Sequence, residues 1–178
     1  PSCSLAPKGA GASHEPLGCL NRSLEQQTHV ETMMRSTLPA RIVDKVEALK
    51  REAGIAACSF VNSGMILGLG TGSTVRYTVL EIGRRMAEEG LQVKGVPTSE
   101  ATRHLAEGLG IPLLTLEKAG EVDLTIDGTD EFDPDFQLIK GGGGALTREK
   151  RVAAASRAMV VVADDRKQVP VLGRFDLP

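Results

Sequence analysis

Cysteine is scarce in this chain. Cys3, Cys19 and Cys58 are odd in number, lie far apart and form no CxxC pair. Neither a disulfide framework nor a zinc site is indicated, and a reducing, cytoplasmic setting is the default expectation. Long apolar runs are missing as well: none approaches the roughly 20 residues a membrane helix needs. Charge of one sign is not in excess. The net charge is −2, which gives no general electrostatic basis for binding nucleic acid or an anionic membrane. Histidine is rare and scattered. His104 sits between Glu100 and Glu107 and reads as a solvated helix residue, while His14 and His29 lie near the N-terminus. Without convergent His or Cys, no transition-metal site is expected.

What remains is ordinary for a globular protein. The chain has 178 residues, 41% of them hydrophobic and 25% charged, enough for one domain with a real core. Residues 1–38 hold Pro, Gly, Ser and Ala without sustained periodicity and read as a disordered N-terminal extension. Glu15, Glu25, Glu31 and only three basic residues there argue against a transit peptide. The absence of an apolar core segment argues against a secretory signal. The first residue is Pro1, as expected of a processed or incomplete chain, and a cloning or gene-boundary extension is the favoured reading.

From residue 39 onward the pattern alternates between helices and strands. Ile42, Val43, Val46 and Leu49 recur at helical spacing over 40–52, with Pro39 suited to the first turn. A second helical piece spans Ile55 to Val61. A DNA-binding helix-turn-helix would use the Gly54 turn, but acids and bases are balanced and no basic recognition helix stands out. Met65 to Leu69 suits a buried parallel strand, followed by a helix over Val75 to Glu89. Gln92 to Val96 is the next strand, and a helix capped by Thr98 or Ser99 runs to about Leu109. Ile111 to Leu116 contains Pro112 and suits an edge strand. Val122 to Ile126 is a strand, Leu146 to Ala158 an alanine-rich helix, and Met159 to Ala163 a buried strand. This order implies a mostly parallel sheet covered by helices. The chemically loaded stretches all follow strands, where ligands of open α/β sheets bind.

Two stretches carry that chemistry. Gly68-Leu-Gly-Thr-Gly-Ser-Thr74 joins a strand to a helix. Bare amides and a helix N-terminus meet there, and the hydroxyls of Thr71, Ser73 and Thr74 add donors, so the turn suits an anion. It lacks the lysine of a Walker loop, and Ser73 breaks the GxGxxG pattern. A small phosphate ester is favoured over a nucleotide, and a purely structural tight turn stays open. The second stretch, residues 126–150, packs Asp127, Asp130, Glu131, Lys140, four glycines and Glu149 into two dozen positions. Crowded carboxylates raise one another's pKa, and four glycines are entropically expensive to order. An acidic turn with a flexible linker would not need such a set. A calcium loop from Asp127, Asp130, Asp133 and Asp135 is opposed by Pro134 and the missing glycine. Glu149 begins a helix. Its dipole lowers the carboxyl pKa, while burial and neighbouring acids raise it. A simple capping-region role also remains open.

Asp127-Gly-Thr-Asp130-Glu131 and Lys140-Gly-Gly-Gly-Gly-Ala-Leu-Thr-Arg-Glu149-Lys150 resemble the two signature blocks of type A ribose-5-phosphate isomerases. Gly68 to Thr74 resembles that family's phosphate loop. The likeness covers about Leu49 to Pro178, with Thr129 where the family more often has alanine. It implies a Rossmann-like α/β fold, a mostly parallel sheet with helices on both faces, over 39–178. The implied reaction interconverts D-ribose 5-phosphate and D-ribulose 5-phosphate through an enediol(ate), in the non-oxidative pentose phosphate pathway, without a cofactor or metal. Glu149 would transfer the carbon-bound proton. Lys140 would stabilise oxyanion charge, and Asp127 and Asp130 would relay hydroxyl protons. Thr71, Gly72, Ser73, Thr74, Asp127, Gly128, Thr129, Asp130, Lys140, Gly141, Gly142, Gly143 and Lys167 would bind substrate. Lys50 and Ser99 are further implied contacts, though Ser99 serves equally as a plain N-cap.

Members of that family continue past the point matching Pro178 with a small α+β lid subdomain and a return to the main sheet. The resemblance thus implies a C-terminally truncated chain, holding the residues for chemistry yet turning over poorly. At full length a homodimer or homotetramer is implied. Two rivals share the architecture: a non-catalytic sugar-phosphate-sensing domain of a transcriptional regulator, and an acyl-CoA-handling transferase. Glu149 and the lack of a basic upstream helix pair oppose the first. Lys140 ahead of four glycines opposes the second.

Overall fold

The computed structural model describes residues 40–174, with the side chains of 40–44 left out. The expectations for residues 1–38 and for Pro39 lie outside that range. Backbone contacts divide the chain into two units, Pro1–Val43 and Asp44–Pro178. Within the first, only residues 40–43, which are helical, are described.

Helix α1 (Ala40–Ala56) is followed by a 3-10 turn, Ala57–Phe60, and then by β1 (Ile66–Leu69), α2 (Val75–Glu89), β2 (Lys94–Pro97) and α3 (Glu100–Gly108). Next come α4 (Leu116–Ala119), β3 (Val122–Gly128), the short strands β4 (Glu131–Phe132) and β5 (Leu138–Ile139), α5 (Leu146–Ala154) and β6 (Ser156–Val162). A second 3-10 turn, Asp165–Lys167, follows. Strands β1, β2, β3 and β6 form a parallel sheet in the order β2-β1-β3-β6. The chain leaves β1 for β2 on one side and returns as β3 on the other. The switch point therefore lies between the carboxyl ends of β1 and β3, where Leu69 pairs with Ile126. A crevice opens at such a point.

Period-2 alternation sends side chains to opposite faces. Leu67, Leu69, Leu124 and Ile126 join Val75, Val79 and Ile82 of α2 in the main core. On the other face Gly68 lies under α5: a Cβ there would stand 2.8 Å from Val152 Cγ1. Val152 and Val96 pack there in a smaller cluster, which Val122 joins at the start of β3. Helices thus cover both faces, as the alternating pattern implies.

Several boundaries differ from expectation. Helix α1 runs through Gly54, which is no turn. A Cβ there would meet Thr74 O at 2.7 Å and Tyr77 Cβ at 2.8 Å, so glycine permits close packing on the start of α2. The expected piece from Ile55 to Val61 is the end of α1 plus the 3-10 turn. Ile111 to Leu116 is not a strand but one parallel bridge, Gly95 to Leu113, at the sheet edge Pro112 suited. Helix α5 stops at Ala154 and β6 begins at Ser156, earlier than expected. Ser156 donates to Val152 O (2.7 Å) and shares a 2.7 Å hydroxyl contact with Thr125 of β3. Pairing with β3 from Val122↔Ser156 onward turns an alanine-rich stretch into strand. Nor is that strand buried. It is the last of the sheet among the described residues, and Arg157, Ala158 and Val161 are exposed.

Candidate active site

The phosphate-loop candidate is built by glycine at a point of close approach. A Cβ on Gly70 would fall 2.5 Å from Asp127 Cγ and 2.6 Å from its Cα, so only glycine lets β1's continuation pass over the end of β3. Gly72 takes a φ of 128°, open to glycine and strained for other residues. Arg76 N then donates to Gly72 O at 3.0 Å, starting α2. No carbonyl of the described chain accepts from the amides of Gly72, Ser73 or Thr74. They stand at the N-terminus of a 15-residue helix, the arrangement that attracts an anion.

Asp127 ends the buried part of β3 with no exposed surface. Its Oδ1 accepts from Thr71 N (3.0 Å) and Gly128 N (2.7 Å), which ties the carboxylate to the loop. Lys140 returns on β5's far side and donates to the Gly128 carbonyl. Its Nζ lies 3.0 Å from Asp127 Oδ2 and 3.4 Å from Glu149 Oε2. Both of those oxygens are buried and ion-paired, yet neither accepts a hydrogen bond. Glu149 is 5% exposed, on the first turn of α5. Burial pushes its carboxyl pKa up, the nearby charge of Asp127 adds to this, and Lys140 opposes it. The competition left open by the sequence is decided for the raised value.

The glycine run closes the site. Gly141 and Gly144 have φ of 111° and 76°, and Gly142 N donates to Asp130 Oδ2 at 2.8 Å. Gly143 lies between them at the exposed bend. Thr129 faces backbone, its hydroxyl reaching the carbonyls of Glu131 and Ile139, both at 2.7 Å. It holds the base of the hairpin. Lys167 shares a cleft of about 560 Å³ with Asp130, Arg166 and Arg174. Ser73 and Thr74 sit at the head of α2.

Three further candidates have partners within their own elements. Lys50 pairs with Glu47 on its own helix at 3.1 Å. Ser99 caps α3, accepting from Thr102 N at 3.1 Å. Asp133 turns its carboxylate onto its own loop, accepting from the amides of Asp135 and Gln137 at 3.0 and 2.8 Å. Sequence reasoning missed Thr98 and Thr102, buried behind the loop at 0% and 7% exposure. Their signal was the Ser/Thr-rich turn after β2, legible as a helix cap but silent about a second use.

Fold and site together define a parallel α/β domain with a glycine-rich turn and helix N-terminus at its switch point and a buried carboxylate–ammonium–carboxylate group beside it. The family profile of ribose 5-phosphate isomerase A (phosphoriboisomerase A) matches residues 94–178. Ribose-5-phosphate isomerase A of Nitrobacter hamburgensis is 59% identical over 133 residues, 75% of this chain and 57% of that protein. A solved ribose 5-phosphate isomerase from Plasmodium falciparum superposes with a TM-score of 0.67 at 46% identity, covering 69% of this chain and 53% of that one. A D-ribose-5-phosphate isomerase in complex with phospho-erythronic acid gives a TM-score of 0.70 at 38% identity, over 71% and 56%. The chain belongs to the ribose 5-phosphate isomerase A family. It spans a little over half the length of the curated relatives it matches, 57% of the first.

Proposed function

We propose that this chain carries the catalytic α/β domain of an aldose–ketose isomerase that interconverts D-ribose 5-phosphate and D-ribulose 5-phosphate. The observation carrying the reading is the Glu149 carboxyl, buried, raised in pKa and free of hydrogen bonds on Oε2, set beside Lys140 and Asp127. A base that moves a carbon-bound proton works best when its pKa approaches the working pH. The phosphate rests on the amides of Gly72, Ser73 and Thr74. Glu149 takes the proton from C2 and returns it to C1, through an enediol(ate). Lys140 stabilises the developing oxyanion. Asp127 and Asp130, with Gly128 and the backbone of 141–143, hold the sugar hydroxyls and pass the oxygen-bound proton, and Lys167 contacts the substrate from its cleft. The complex of a relative with phospho-erythronic acid, a phosphorylated sugar acid, supports a phosphorylated sugar here.

The reading extends to a cytoplasmic homodimer or homotetramer at full length. Three scattered cysteines and the absence, among the described residues, of a helix long and apolar enough to cross a membrane support the setting. In the protein at the length of its relatives, Glu149→Gln lowers ribose 5-phosphate turnover by roughly 10²–10⁴-fold and leaves calorimetric affinity near wild type. Turnover that survives the substitution refutes the assignment. An unsubstituted protein that binds ribose 5-phosphate without converting it is a sensor instead.

A further inference from the structure

Three hydroxyls on the turn after β2 are engaged with the phosphate loop or its support, and the proposed mechanism uses none of them. Thr98 has no exposed surface. Its hydroxyl lies 2.7 Å from Thr71 Oγ1 and 3.2 Å from Leu69 O. Its amide also donates to Leu69 O at 2.9 Å. Thr102 donates to Gly70 O at 2.8 Å and receives a 3.0 Å hydrogen bond from Ser99. The neighbouring βα turn therefore grips residues 69, 70 and 71 in succession. A buried hydroxyl is costly unless it is paired, and valine would end a strand as well, so the hydroxyl of Thr98 calls for a purpose.

The geometry points to Thr98 as a positioning residue that aims the Thr71 hydroxyl at the substrate phosphate and supplies the hydrogen bond that lets Thr71 donate. This rests on the reading of residues 71–74 as the phosphate cradle. A phosphate oxygen accepts and, when fully ionised, never donates. For Thr71 to give its proton to phosphate, the proton between the two hydroxyls must come from Thr98. The 2.7 Å contact is at the optimum for O–H···O, whereas 3.2 Å to Leu69 O is long. Loading the cradle thus moves the Thr98 proton from the weaker acceptor to Thr71. A chain Thr98→Thr71→phosphate results, each link polarising the next. The backbone of Thr71 is held in place beside it, its amide donating to Asp127 at 3.0 Å.

The test is a double-mutant cycle read as the D-ribose 5-phosphate dissociation constant, with kcat measured alongside. Thr98→Val weakens binding roughly five- to tenfold, the scale of one hydrogen bond between neutral groups, with kcat unchanged. Thr98→Ser, which keeps the hydroxyl, restores affinity. In a Thr71→Val background Thr98→Val has no further effect. Equal losses in both backgrounds, or no loss in either, overturn the inference while leaving the cradle in place. A Thr71→Val protein that binds as tightly as the unsubstituted one also overturns the inference and leaves the amides of 72–74 as the cradle, whereas an unsubstituted protein that does not bind D-ribose 5-phosphate overturns the cradle itself. Should the valine variant fail to fold, Thr98→Ala carries the same comparison.

Discussion

At the scale of single residues the site turns on how one ammonium divides itself between two buried carboxylates. Lys140 donates to a carbonyl and pairs with Asp127 and Glu149 only through charge. One positive charge for two acids in a dry setting favours a proton on one of them. Asp127 accepts two backbone amides, and it is the buried Glu149 whose pKa is raised, by burial and by the charge of Asp127. A carboxyl with a folded pKa above its unfolded value binds more protons folded than unfolded within that window. Stability therefore falls as pH rises through it, and Glu149 weakens the fold at neutral pH. Glu149→Gln should raise the thermal midpoint at pH 7–8, and the gain should vanish near pH 4, where both states are protonated. Melting curves at the two pH values check this; a midpoint lowered at neutral pH would contradict it. On the proposed reading of Glu149 as the base, the same shift places the acid limb of the kcat/KM profile above the ordinary glutamate range.

At the scale of elements the hairpin β4–β5 shows where local preference yields to function. It leaves the sheet at Asp130 and returns at Lys140, so its two feet are both residues of the candidate site. Phe136 N donates to Asp133 O and Asp133 N to Gln137 O, a three-residue loop whose last position is left-handed. Glycine or asparagine normally stands there. Phe136 takes it with a φ of 59° while 83% exposed. No packing offsets the strain, so Phe136→Asn should stabilise the protein by about 0.5–1 kcal/mol, read from urea unfolding midpoints. Loss of stability would show that the ring makes contacts unseen here. Asp133 explains why the loop holds its shape: its carboxylate takes both the Asp135 and the Gln137 amide. An acid that looked like a metal ligand in the sequence is a turn-former.

At the scale of the whole molecule the sheet is asymmetric. Strands β1 and β3 are paired on both sides, β2 gains one bridge from Leu113, and the outer edge of β6 has no partner among the described residues. Open edges with apolar side chains invite further pairing. In a parallel strand successive amides point to alternate sides. Hydrogen exchange on this chain should therefore find β1 and β3 protected throughout, and β6 protected at alternate residues only. Uniform protection along β6 would mean that another strand covers it in solution.

The sequence by itself determined the sheet class, the strand-to-loop order and the two stretches that form the candidate site. These are short-range matters: apolar periods, glycine turns and residue types whose chemistry is evident within a dozen positions. Glu149, Lys140 and Asp127 could be named because their spacing and company make little sense otherwise. Only the tertiary structure decided where helix α5 yields to β6, since an Ala- and Val-rich run satisfies either period until β3 offers its ladder. It also decided that Gly54 is a packing contact and Thr98 a hydrogen-bond partner of Thr71. Both depend on neighbours 20 or more positions away. The direction of Glu149's pKa belongs to the same class, because desolvation is a property of everything packed around a group, and no stretch of chain carries that information alone.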